Sequence, residues 1–237
     1  MTTGARLYIY ATVVLGLTLL CGCLIWFGQF PDVARYLAYF SLACIAAMLK
    51  VRLPGLKGTI SVNFVFILIA VVELSLAETV ILAFVATLVQ CLWRPKTRPS
   101  PIQVLFNASA VVISTVLAYG TAHAMPLASL AWISLAPAAA VFFLLNTWMV
   151  SLVLGLISKT PPLAVWKQCH LWTFPYYLVG AAVAAATSTS ADIVGWRLSL
   201  TALPLMYLAY LYYRNYLSSQ TAGAVAGLRS SPRLSAK

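Results

Sequence analysis

Residues 59–93, TISVNFVFILIAVVELSLAETVILAFVATLVQCLW, constrain this chain more than any other stretch. The only charges in the run are Glu73 and Glu78, and basic clusters bound it: Lys50, Arg52 and Lys57 before, Arg94, Lys96 and Arg98 after. A segment this apolar is too long for one helix across a hydrocarbon layer of roughly 30 Å. Two short spans that turn at the acidic residues fit better. Such a hairpin sets both basic loops on one side and both glutamates on the other. Because the rest of the chain repeats this charge rule, the expected fold is all-α: a polytopic transmembrane helical bundle of about eight spans.

Composition narrows the partners. Of the 237 residues, 62% are apolar and 8% charged, whereas soluble domains carry about 25% charged residues. A net charge of +11 would suit nucleic acid if it formed one patch. Here the basic residues stand between apolar runs, as in cytoplasmic membrane loops, so the expected partner is the lipid bilayer and not nucleic acid. None of the five cysteines belongs to a CxxC pair, and small packing residues are the expectation for them.

In chain order, the expected spans are 7–28, 33–49, 60–72, 74–92, 101–122, 137–157, 171–186 and 198–217. The first is read as a retained span rather than a signal peptide, because many apolar runs follow it. The third is short and must be sheltered by neighbours or by a thinner membrane. Pro137 is expected to kink or break the long run 127–157, leaving 127–136 as a partial segment and 137–157 as the sixth span. LAVWKQCHLW, residues 163–172, reads as a short amphipathic interfacial helix, and 187–197 as a polar connection. The tail 218–237, rich in Ser, Ala, Gly and Arg, is expected to be disordered.

Eight spans put both termini on one side. With that side cytoplasmic, thirteen of the fifteen basic residues lie inside, while Arg35, Arg197 and all four acids, Asp32, Glu73, Glu78 and Asp192, lie outside. The opposite orientation violates the positive-inside rule in nearly every loop.

Candidate site residues are the polar groups within this apolar body. Asn63, Asn107 and Asn146 carry amides that should face protein or a wet cavity, since an amide facing lipid is costly. They are candidate ligand-binding residues, although helix-to-helix hydrogen bonding is the plainer reading of Asn107 and Asn146. Glu73 and Glu78 are the other ligand-binding candidates. A turn between them would bring them together, and with Asp192 and His123 they would suit a cation, an amine or a proton. Two solvated turn residues are the plainer reading. No HExxH, GxSxG or phosphate-binding glycine loop is present, so no catalytic residue, metal site or cofactor is predicted.

A basic loop followed by GTISVNFVFILIAVVELSLAETVILAFVATLVQ, a second basic loop before the LFNAS span, PLAVWKQCHLWTFPYYLVGAA, and a tyrosine-rich final span with YYRNYL form a pattern. It resembles the N-terminal multi-span sensor region of bacterial diguanylate cyclases with GGDEF domains and of HD-type phosphohydrolases. The resemblance covers residues 6–217. It implies a bacterial inner-membrane input domain whose last span continues into a cytoplasmic output domain. The residues after 217 hold neither GGDEF nor an HD pair, so neither activity carries over. The expectation becomes a sensor that acts through a separate cytoplasmic signalling protein or as a homo-oligomer, with Arg214 and Tyr216 as candidate signal-output residues. The alternative is a small-molecule transporter or substrate-capture subunit. An enzyme would need Glu73, Glu78, His123 and Asp192 to converge.

Overall fold

The structure is a computed structural model and describes residues 2–52, 59–95, 97–124, 131–169, 174–194, 197, 204, 207, 208 and 211. The chain runs α1 (Thr3–Phe27), α2 (Val33–Met48), β1 (Lys50–Arg52), β2 (Thr59–Ser61), α3 (Asn63–Glu73), α4 (Leu76–Leu92), α5 (Pro101–His123), α6 (Ala131–Ser158), α7 (Pro162–Cys169) and α8 (Phe174–Val194). The expected eighth span, the tail, and the candidate output residues Arg214 and Tyr216 lie outside the described residues or are touched by them only at isolated positions.

Apolar side chains cover the bundle outside as well as inside. Leu7, Val14, Ile25 and Trp26 of α1 are exposed, as are Leu37 and Ile45 of α2, Leu117 of α5, and Leu144 and Trp148 of α6. Helices that are apolar all round suit a lipid surrounding. Three helices, Thr3–Phe27, Pro101–His123 and Ser134–Ser158, are long and apolar enough to cross a membrane. Val33–Met48, Asn63–Glu73, Leu76–Leu92 and Tyr177–Ser188 are shorter apolar helices.

Helix α3 is the axis of the bundle. Every residue from Asn63 to Val71 is buried, and α2, α4, α5, α6 and α8 all pack against it. Eleven residues rise only about 16 Å, so α3 is shorter than the 60–72 span read from the sequence. Its first part is replaced by β2, which pairs antiparallel with β1 in the register Lys50↔Ser61. That ladder qualifies the all-α expectation. Its two short strands pair their backbone groups with each other.

Lipid offers no hydrophobic driving force between helices, so close packing and polar contacts must hold them together. Small residues make that approach possible: Ala43, Ala46 and Ala47 of α2, Ala138 and Ala139 of α6, and Ala184 of α8 are buried. Two glycines mark the tightest contacts. A Cβ at Gly16 would stand 2.4 Å from Ser109 Cβ and 2.7 Å from its Cα, and one at Gly180 would stand 2.2 Å from the Phe64 ring. Most hydroxyls are satisfied within their own helix. Thr87 Oγ1 donates to the Ala83 carbonyl (2.7 Å), Ser114 Oγ to Ala110 (2.8 Å) and Ser151 Oγ to Thr147 (2.8 Å).

Two boundaries depart from the sequence reading. Pro137 does not break the sixth segment, since α6 is one α-helix from Ala131 to Ser158 with Pro137 inside it. The proline lies in the second turn, where it forfeits one backbone bond, and buried Leu135, Ala138, Ala139, Phe142 and Phe143 around it fix the helix in the bundle. Helix α8 also continues past residue 186, through the polar stretch, to Val194. Thr187 Oγ1 donates to the carbonyls of Val183 and Ala184, both at 2.9 Å, so its hydroxyl needs no water and does not end the helix.

Candidate functional site

The two ends of the bundle differ in charge. At one end Lys50 Nζ donates to the Trp93 carbonyl (2.6 Å), drawing the basic segments after α2 and α4 together. The start of α1 joins the same end. Thr2 Oγ1 donates to the Leu156 carbonyl of α6 (3.2 Å), and the Tyr8 ring lies 6.1 Å from Phe106, near the start of α5. At the other end the α1–α2 and α3–α4 turns meet, where Ser75 Oγ lies 2.9 Å from the Gln29 carbonyl. Asp32, Glu73 and Glu78 all belong to this second end.

The local sequence explains how Glu78 is held. Ser75-Leu76-Ala77-Glu78 has the S-x-x-E pattern that closes a helix N-terminus on itself. Ser75 N donates to Glu78 Oε2 at 2.9 Å, and Glu78 N donates back to Ser75 Oγ at 3.4 Å. The negative charge also faces the positive end of the α4 dipole. Next to it, Thr79 Oγ1 donates to the Ala70 carbonyl of α3 at 2.8 Å, pinning the two helices at the turn.

Glu78 is only 1% exposed, which removes the reading of two solvated turn residues. Its Oε1 is buried and finds no hydrogen-bond donor among the described residues. Glu73, at the end of α3, pairs with Arg35 of α2 at 3.6 Å, and the carboxylate side chain is 9% exposed. Asp32 is used as the α2 N-cap, accepting from Arg35 N at 3.0 Å. The hydroxyls of Tyr36 and Tyr119 are within electrostatic reach of Glu78. His123 stacks on Tyr119 with ring centroids 3.9 Å apart, and its Nδ1 lies 2.9 Å from the Tyr119 carbonyl.

The structure thus brings Glu73, Glu78 and the Tyr119–His123 pair to one end, with Arg35 added. The side chain of Asp192 is outside the described residues. Among the described residues no group of three or more His, Cys, Asp or Glu side chains could hold a metal ion.

The amides are elsewhere. Asn63 opens α3, so the helix length of about 15 Å separates it from Glu73; it is 5% exposed. Asn107 Nδ2 lies 3.7 Å from Cys91 Sγ, at the basic end of α4. Asn146 hydrogen-bonds the side chain of Tyr177, whose ring packs 4.5 Å from Phe64 and 4.9 Å from Phe143. Asn107 and Asn146 therefore tie α5 to α4 and α6 to α8, and the five candidates do not share one cavity. A separate open cavity of ≈ 330 Å³ on the flank is lined by Leu144, Leu145, Trp148, Leu163 and Trp166, a lining that suits lipid.

Sequence reasoning missed two features. Arg35 as the partner of Glu73 needs α2 and α3 to be neighbours, which spacing does not reveal. The Ser75 cap carried a signal, the S-x-x-E tetrad itself. Compared with known proteins, the chain matches the family model MASE9, which covers residues 26–217, whereas no curated protein and no solved structure matches.

Proposed function

Because the chain belongs to MASE9, a family of membrane-associated sensor domains, we propose that it is the input module of a bacterial inner-membrane signalling system. In this reading it takes up a small ligand or membrane signal in its helical bundle and acts through a separate cytoplasmic partner. The basic end faces the cytoplasm, by the positive-inside rule. The acidic end faces outward and receives the signal.

The observation that carries the reading is the burial of Glu78 with one oxygen unpartnered among the described residues, beside the Arg35–Glu73 ion pair. A charge held this way is costly unless something compensates it. An occupant that does so favours one arrangement of the α2, α3 and α4 ends. Signalling needs such a differential affinity between two states. The central helix α3 touches most of the bundle and is the route by which a shift at its Glu73 end reaches the basic end. Asn107 and Asn146 serve as fixed ties along that route, and Arg214 and Tyr216 are the proposed output residues.

The test is site-specific photo-crosslinking from Tyr216 in living cells, in wild type and in Glu73→Gln. A cytoplasmic protein trapped with a yield that changes in Glu73→Gln supports the sensor. Uptake of a labelled substrate that depends on Glu73, Asn107 or Asn146, with no crosslinked partner, would replace it with the transporter reading.

A further inference from the structure

We infer that the flank groove between α6 and α7 holds an anionic phospholipid, with one acyl chain along its apolar wall and the phosphate meeting Lys159 and Lys167. The site is apart from the acidic end and stands whether the chain is a sensor or a transporter.

The groove is made by a fold-back. Lys159, at φ 56°, turns the chain after α6. Thr160 N donates to the Gly155 carbonyl at 3.1 Å, and a Cβ at Gly155 would stand 2.9 Å from the Thr160 carbonyl oxygen and 3.1 Å from Pro162 Cγ. Helix α7 therefore starts level with Gly155 and runs back beside α6. Trp166 Nε1 ties it down by donating to Thr147 Oγ1 at 2.9 Å, and the indole packs 6.2 Å from the Phe143 ring. Beside this tie, Leu144, Leu145, Trp148, Leu163 and Trp166 line the open cavity of ≈ 330 Å³. Leu144, Trp148 and Leu163 stay exposed. The walls are set before anything enters, and the lining offers water almost nothing to bond.

The charge beside the groove selects the occupant. Lys167 lies four residues after Leu163, on the same face of α7. Trp166 meets α6 at Thr147, eleven residues before Ser158, so Lys167 is attached about 16 Å short of the α6 end. Side chains on a helix lean toward its N-terminus, which for α7 is the Gly155 level. The Lys167 stem thus runs back over Leu163 toward the end that carries Lys159, as lysines near a membrane edge do. Both lysines are exposed. The chain has four acidic side chains, and Asp32, Glu73 and Glu78 belong to the opposite end. The fourth, at residue 192, is carried away by α8. Phe174 packs 5.2 Å from Phe143, Gly180 meets Phe64 near the start of α3, and α8 continues along α3, which sets residue 192 about 27 Å along the helix from Phe174. An ammonium group on a lipid-facing flank with no carboxylate is costly. A second copy of this chain would not relieve it, because a two-fold contact brings the same basic patch to itself. A lipid phosphate does, and its acyl chain fills the apolar wall below.

The experiment reconstitutes the full chain in phosphatidylcholine bilayers containing a fixed fraction of brominated phosphatidylglycerol or brominated phosphatidylcholine, and reads quenching of tryptophan fluorescence. The difference between wild type and Trp148→Phe isolates the signal of the groove from that of the other tryptophans. For that signal the anionic lipid is expected to show an apparent association constant about tenfold that of the zwitterionic one, since each lysine near an anionic headgroup contributes roughly fivefold. Lys159→Gln with Lys167→Gln should bring the ratio to about one. Equal quenching by the two lipids, or a ratio that survives the double substitution, would overturn the site. So would the absence of Trp148-dependent quenching by either lipid, which would put protein in the groove, a second copy or another segment of this chain. Should the double variant fail to fold, a Trp148-dependent ratio no larger than that of the remaining tryptophans overturns the proposal, and a larger one supports it.

Discussion

At the residue scale, Ser75 and Glu78 do more than start a helix. Ser75 caps α4, receives Glu78 N–H and lies against the Gln29 carbonyl, so it links the start of α4 to the α1–α2 turn through one hydroxyl. Ser75→Ala is expected to destabilise the protein by about 1 kcal/mol, and Ser75→Thr to restore most of that; unfolding by denaturing detergent in wild type and both variants measures it. Gly16 offers a second residue-level test. Its missing Cβ would meet the backbone of Ser109, which cannot rotate away. Gly16→Ala should therefore cost about 1–3 kcal/mol. Gly120→Ala, with nothing within 4 Å, should be neutral or stabilising. Equal effects of the two changes would mean that α1 and α5 are not in contact at Gly16.

At the scale of the elements, α3 and α6 show where periodicity and composition mislead. The run from residue 60 reads as membrane span from its first residue, yet Thr59–Ser61 pairs as a strand and the helix begins only at Asn63. Pairing with Lys50–Arg52 is a long-range event that no local pattern announces. The sixth segment errs the other way. Pro137 reads as a break, while α6 runs through it. Replacing it with alanine returns one backbone donor, so Pro137→Ala should be stability-neutral or stabilising. A clear loss of stability would mean that the proline is structurally required there. The tie between α6 and α8 is tested by a double-mutant cycle of Asn146→Leu and Tyr177→Phe. A coupling of about 0.6 kcal/mol is expected, the usual strength of a hydrogen bond between membrane helices.

At the scale of the whole molecule, the division of charge is the organising feature. Lys50, Arg94, Arg98 and Lys159 stand at one end and Asp32, Glu73 and Glu78 at the other. Single cysteines introduced at Gln29 and at Thr97, in a chain without native cysteines, should react with a membrane-impermeant thiol reagent from opposite sides: Gln29 in whole cells, Thr97 only after the membrane is opened. The reverse pattern would invert the assignment of the signal-receiving and output ends, and reaction of both from the same side would contradict their placement across the membrane.

What the sequence by itself determined is the class of molecule and the grouping of its basic and acidic loops at opposite ends of the bundle. Apolar run length and the alternation of basic and acidic loops depend on the membrane as solvent, which acts on each segment locally. The acidic pair was legible as a candidate for the same reason. What only the tertiary structure decided is which polar groups meet: Arg35 with Glu73, Asn107 with Cys91, Asn146 with Tyr177, and the burial that turns Glu78 from a surface charge into a carboxylate short of donors. Those contacts depend on which helices are neighbours. Among helices that are apolar on every face, neighbours are chosen by the fit of small residues such as Gly16 and Gly180 against particular side chains, a choice that exists only once the whole bundle has packed.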